Sequence, residues 1–215
     1  MKIKTLHLGL IKTNCYLIST EKAAVVIDPG FDRPSTLDFL NENADKECLV
    51  LLTHAHFDHI GGAEALREKT GVKIGIGELD ADALSDTELN LSDMFRAHVA
   101  PFKADLIFKD GDIIKVGDLE LKVINTPGHT VGGVSYLTED KLFSGDTLFE
   151  ASIGRTDFTG GDLNVLKRSV KKLFELPPDT KVYPGHGNST TIAREKEYNM
   201  FARCENEAMP YKSFI

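Results

Sequence analysis

The densest chemistry in the chain lies in six consecutive residues, His54-Ala55-His56-Phe57-Asp58-His59. Imidazole nitrogen and carboxylate oxygen are donors that zinc and neighbouring transition metals accept. The apolar pair Leu51-Leu52 leads into the segment. With a strand ending near Thr53, His54 and His56 project to one side of an extended backbone, and the turn beyond aims Asp58 and His59 elsewhere. That division suits two adjacent ions, and it differs from the helical HExxH spacing of mononuclear proteases. Gly61-Gly62 then allows a tight entry into a helix.

Three more apolar runs end in the same donor types: Val123-Ile124 before Pro127-Gly128-His129, Leu142-Phe143 before Gly145-Asp146, and Val182-Tyr183 before Pro184-Gly185-His186. Singly, a Pro-Gly-His or a Gly-Asp is an ordinary turn. Joined to the first segment, they give five histidines and two aspartates, enough for two four- or five-coordinate ions sharing a bridge. Two divalent ions are therefore expected, zinc first, with iron and manganese compatible with the same donors.

The donors need elements to hold them. Short apolar runs bounded by turn residues predict strands at Ile3–Leu8, Cys15–Ile18, Ala24–Ile27, Cys48–Leu52 and Val72–Ile76. A second series follows at Ile113–Val116, Leu119–Ile124, Val134–Leu137, Leu142–Phe143 and Lys181–Tyr183. Thr138-Glu139-Asp140 reads as a hairpin loop. Helices are expected at Pro34–Asn43, Gly62–Lys69, Leu163–Phe174 and Thr190–Arg203. The class is α/β (α+β), with a two-layered sheet core and helices outside. Residues 78–99 are the least regular stretch and read as either a solvated loop or a wall of a pocket.

The 215 residues carry a net charge of −8 and are 41% hydrophobic, an ordinary globular composition for which one domain spanning residues 1–215 is the expectation. The negative balance argues against nucleic acid and anionic membranes as partners. Cys15, Cys48 and Cys204 are an odd, scattered set. They form neither a disulfide framework nor a metal knuckle, and reduced thiols point to the cytoplasm. No stretch reads as a signal peptide or a membrane span, so a soluble protein is expected; the sequence assigns no oligomeric state.

Taken together, the motifs resemble the metallo-β-lactamase superfamily, from Asn14-Cys15-Tyr16-Leu17 and Asp28-Pro29-Gly30 through the HxHxDH string to Gly185-His186-Gly187. The resemblance implies a four-layered αβ/βα sandwich of two mixed sheets flanked by helices. It further implies that His54, His56 and His129 hold one ion, that Asp58, His59 and His186 hold the other, and that Asp146 bridges them. Gly154-Arg155-Thr156-Asp157-Phe158 adds a likeness to short glyoxalase II-like (hydroxyacylglutathione hydrolase-like) hydrolases, which cleave thioesters such as S-lactoylglutathione. A small-molecule acyl thioester is the substrate so implied. The expected chemistry is attack by a hydroxide held between the ions, since zinc lowers the pKa of bound water from 15.7 to about 7. Asp58 is a ligand first and a proton shuttle only secondarily.

Two other activities remain open at this point. A mononuclear-iron persulfide dioxygenase shares the fold, the HxHxDH string and a similar Gly-Arg-Thr-Asp-Phe segment, but the histidine matching His186 follows Pro-Ala there and does not ligate. Hydrolysis of another ester or lactone is the other. A purely structural zinc cluster fits poorly, because such sites are closed and rich in cysteine. Arg155 reads either as a contact for a substrate carboxylate or as the ion-pair partner of Asp157. Met94 and Phe95 read as an acyl pocket or as simple packing. His7 and His98 stand outside every donor segment, and Glu195-Lys196-Glu197 reads as the solvated face of a helix.

Overall fold

In the computed structural model, which describes residues 1–203, the N-terminal half builds one sheet and the C-terminal half the other. Strands β1 (Lys2–Leu8), β2 (Thr13–Ser19) and β3 (Ala23–Ile27) form an antiparallel meander. Helix α1 (Pro34–Glu42) crosses to β4 (Glu47–Leu52), α2 (Phe57–Ile60) and α3 (Ala63–Thr70) to β5 (Lys73–Gly77), and α4 (Ser92–Phe95) to β6 (Leu106–Phe108). From β3 onward the neighbours run parallel, so the sheet is mixed, in the order β1-β2-β3-β4-β5-β6.

The second sheet begins at β7 (Ile113–Val116), β8 (Leu119–Asn125), β9 (Val134–Thr138) and β10 (Lys141–Gly145). A short ribbon of β11 (Leu148–Phe149) and β12 (Ser152–Ile153) leads to α5 (Leu163–Leu173), followed by β13 (Lys181–Pro184), β14 (Thr190–Thr191), α6 (Ile192–Tyr198) and α7 (Met200–Arg203). Its order is β14-β13-β10-β9-β8-β7, antiparallel except where β13 joins β10.

Central strands buried on both faces explain why the sequence runs are continuously apolar. Alternate residues of β3 part company: Val25 and Ile27 face the second sheet, packing with Leu121, Val123, Tyr136 and Phe143, while Val26 packs with Leu40 of α1 and Leu66 of α3. Outside the second sheet, Ile124, Leu142 and Val182 meet Leu166, Val170 and Leu173 of α5. The result is helices, sheet, sheet, helices, as expected. Asp162 starts α5 by accepting from Asn164 N and Val165 N.

Two expectations need correction. The helix expected over Thr190–Arg203 begins as a strand residue pair and is broken at Asn199, whose buried Nδ2 donates to Ser152 O and Glu195 Oε2 instead of continuing the helical register. Glu195, read as solvated, is fully buried and accepts from Thr190 Oγ1 and Ala151 N. Cys15 and Cys48 are free thiols, and Cys204 lies outside the described residues. Among the described residues no helix is long and apolar enough to cross a membrane.

Candidate metal centre

Four strand ends deliver the donors. β4 releases His54 and His56, with Asp58 and His59 on α2 directly after. In the second sheet β8, β10 and β13 run the same way, so His129, Asp146 and His186, which follow their C-terminal ends, arrive at one edge. All seven expected donors come together there. Three groups have ligand atoms within 4.8 Å of one another: His54, His56 and His129; Asp58, His59 and His186; and His54, His59 and Asp146.

The polar atoms at the centre are unusual in having no partner. Nε2 of His54, His56, His59 and His129 and Oδ1 of Asp146 are buried without a hydrogen bond among the described residues. Orphaned buried polar atoms cost on the order of 1–3 kcal/mol each, so a converging set of them fits a cation that satisfies them all. The Asp146 carboxylate spans the groups, with Oδ1 3.5 Å from His59 Nε2 and Oδ2 3.5 Å from both His129 Nε2 and His186 Nε2. Close approach at this point requires glycine: a Cβ on Gly185 would stand 2.0 Å from Asp146 Oδ1 and 2.7 Å from His59 Cε1.

A surrounding layer fixes which ring nitrogen faces inward. Asp28, buried and in the left-handed backbone region at φ 53°, takes Thr53 N at 2.8 Å on Oδ1. Its Oδ2 takes the Thr53 hydroxyl at 2.6 Å and His59 Nδ1–H at 2.8 Å. Thr53 Oγ1, its proton directed to Asp28, is left to accept from His54 Nδ1 at 3.1 Å. One carboxylate therefore orients two imidazoles, and the backbone oxygen of Arg155 orients a third, His129, at 2.7 Å. Thr13 donates to Asp58 Oδ2 at 2.7 Å. Asp80 ties the two donor loops together: Oδ2 accepts from Ala55 N and Thr130 Oγ1, and Oδ1 from Gly132 N.

The electrostatics agree with a cation site. Burial first, then the facing rings of His59, His56 and His129, hold the His54 imidazole far below its usual value. Burial and His129 push His56 down to about 3. Burial opposes a charge on His59 as well, but Asp58, Asp146 and Asp28 override it and raise the ring to about 10. For Asp58, burial is overcome by His59 and His186, which keep its carboxyl well below the usual range. Neutral rings at His54 and His56 and an ionised Asp58 are the donor states metal binding needs. The positive charge that the carboxylates favour at His59 is the demand a divalent ion meets.

The other expected residues divide. The Arg155 guanidinium is engaged by Asp157, Nε to Oδ1 at 2.7 Å and Nη2 to Oδ2 at 2.6 Å, the ion pair of the two readings. His7 lies on Asn14 Oδ1 at 2.7 Å and belongs to none of the donor groups, and His98 is exposed. Residues 78–99 stand beside the cluster through Asp80 and through Phe95, whose ring stacks on Phe57. Thr13, Thr53 and Asp80 were not singled out from the sequence, where an isolated Thr or loop Asp carries no distinguishing signal; Asp28, between a strand and Pro-Gly, carries one.

The whole-chain comparisons agree. The family model described as the metallo-beta-lactamase superfamily matches residues 8–186, and the chain belongs to that family. Hydroxyacylglutathione hydrolase GloC of Haemophilus influenzae is 34% identical over 207 residues, spanning 94% of this chain and 98% of that protein. The structure of BLEG-1 B3 metallo-beta-lactamase superposes with a TM-score of 0.87 at 38% identity, over 94% of this chain and 100% of that one. That of TTHA1623, in a di-iron-bound form, does so at 0.77 and 34% identity, over 92% and 99%. The chain is thus a member of a metallo-hydrolase superfamily whose donors form a His/Asp metal cluster.

Proposed function

We propose that this single-domain chain is a cytoplasmic, metal-dependent hydrolase that cleaves a small acyl thioester such as S-lactoylglutathione. In this reading His54, His56 and His129 hold one divalent ion, Asp58, His59 and His186 hold a second, and Asp146 lies between them. The observation that carries it is the pair of facing donor triads with the two oxygens of one carboxylate directed at both. The name of the hydroxyacylglutathione hydrolase relative supports the thioester. Zinc is the metal proposed, with iron and manganese accepted by the same donors; the di-iron form of TTHA1623 supports a two-ion site.

Bound there, divalent ions supply an activated water near neutral pH and polarise the acyl carbonyl. The chain's own residues set the conditions. Asp28, Thr53 and the Arg155 carbonyl keep proton-bearing ring nitrogens turned outward, so that the Nε2 atoms face the reacting centre. His59 and His186, with a hydrogen bond from Thr13, keep Asp58 ionised as a ligand, which leaves that carboxylate only a secondary part in moving a proton. A thiolate leaves readily, its reference pKa being about 8.5, so no strong general acid is required. Arg155, at the lip, is the proposed contact for a carboxylate of the thiol carrier, taken in exchange for Asp157.

The test is metal analysis of protein expressed without metal supplements, followed by parallel assays of that sample. The substrates are S-lactoylglutathione, a chromogenic cephalosporin, and glutathione persulfide with oxygen uptake recorded. Two ions per chain with thioester turnover, both lost in His54→Ala and Asp58→Ala, is the expected result. One iron with oxygen consumption, or cephalosporin cleavage without thioester cleavage, overturns the reading.

A further inference from the structure

Beside the donor cluster, phenylalanines from three separate segments meet. Phe57 belongs to α2, inside the histidine motif; Phe95 ends α4; Phe158 follows the Arg155 turn. Phe57 and Phe95 stack with centroids 5.0 Å apart, Phe95 meets Phe158 edge-on at 5.9 Å, and Phe158 meets the His56 ring edge-on at 6.1 Å. Phe95 is 49% exposed, while Phe57 and Phe158 are half-buried and the Arg155 guanidinium lies over the Phe158 ring, 4.0 Å from its centroid. Large apolar side chains grouped at the lip of a buried polar cluster mark a binding surface.

The backbone adds an independent observation. Leu91 and Arg96, which bracket α4, both sit in the left-handed region, at φ 64° and 51°. Side-chain-bearing residues adopt it at a cost, and paired instances beside a reactive centre point to function. The turn is also held firmly: Phe57 N donates to Asn90 O at 2.8 Å, and the buried Asn90 side chain receives Ser92 N and donates to Ala83 O. The chain thus accepts strain on both sides of a four-residue helix whose effect is to present Phe95 to Phe57 and Phe158.

We propose that Phe57, Phe95 and Phe158 form a subsite for an apolar, ring-sized group carried by the substrate next to its scissile carbonyl. The 6.1 Å between Phe158 and His56 sets the reach: with the carbonyl over the cluster, a ring two or three bonds away lies against the wall. The proposal rests on the thioesterase reading and adds the substrate's chemistry, a hydrophobic arm on the acyl or the thiol side.

Two isomeric thioesters separate the arms. S-methyl phenylthioacetate carries the ring on the acyl side and S-benzyl thioacetate on the thiol side, with S-methyl thioacetate as the small reference. Wild-type protein should favour at least one ring-bearing isomer over the reference by about tenfold or more in kcat/KM, expressed chiefly in KM, as expected for burying a ring-sized apolar group. Phe95→Ala should reduce that ratio to within about twofold, Phe95→Leu should retain an intermediate value, and metal content should match wild type in both. Absence of preference for either isomer, or an equal loss on all three compounds in Phe95→Ala, overturns the subsite. If none of the three is hydrolysed, turnover of S-lactoylglutathione decides the thioesterase reading separately. Calorimetric titration of the metal-loaded protein with phenylacetate and acetate then reads the subsite alone: tighter binding of phenylacetate that Phe95→Ala removes supports it, and equal affinities overturn it.

Discussion

Asp28 shows how much of a metal centre is decided by a residue that touches no metal. Its Oδ2 receives both the Thr53 hydroxyl and His59 Nδ1–H, while Oδ1 receives Thr53 N. An Asn there must turn its amide either against the Thr53 N–H or against His59, and the second arrangement moves the ring proton onto Nε2, the inward nitrogen. Asp28→Asn should therefore weaken metal affinity about 10–100-fold, as loss of such an orienting partner does. Competition with a chromogenic chelator at neutral pH measures it, and unchanged affinity would show that His59 is oriented by other means. The seven donors were legible because His and Asp stood at the ends of apolar runs, where types and positions coincide. Asp80 was not: an aspartate in an acidic, irregular stretch looks solvated, and only the fold brings Ala55, Thr130 and Gly132 onto it. Glu195 misled for the same reason.

At the scale of elements, the centre depends on how four strands stop. Strands were readable because burial on both faces makes them continuously apolar, and α1, α3 and α5 because their patterns are long enough to show a period. Helix α2 was not readable, since four residues inside a histidine motif carry no periodicity. Nor was the break at Asn199, which depends on Ser152, far along the chain. In the turn after β13 a Cβ at Gly185 would meet two of the donors, which gives a clean contrast between two glycines. Gly185→Ala sets a Cβ against Asp146 and His59 and should cost at least one ion per chain by elemental analysis. Gly71→Ala, at the left-handed end of α3 with open space around it, should lower stability by roughly 1 kcal/mol through backbone strain and leave the metal content unchanged. Equal metal content in the two variants would mean that the β13 turn yields without disturbing the donors.

For the molecule as a whole, the two sheets are joined by packing and by a few polar links: Asn14 Nδ2 to Pro184 O and Gly187 O, Val134 N to Thr53 O, and Tyr136 Oη to Leu52 O. Bound metal should add to these. With free metal at a thousandfold its Kd, mass action contributes about 4 kcal/mol to stability. Chelation should lower Tm by several degrees and re-addition should restore it, as calorimetry can follow; a Tm indifferent to chelator would mean that the ions contribute little to holding the sheets together. The order of the halves along the chain has another effect. The first sheet ends at Phe108, the second starts at Ile113, and the polypeptide passes between them once, through a turn at Gly111. His54, His56, Asp58 and His59 lie before that crossing, and His129, Asp146 and His186 after it. A chain cut at the turn would give two pieces that each own an entire sheet and neither a finished coordination set, so that their reunion would be governed by the concentration of the ion they share.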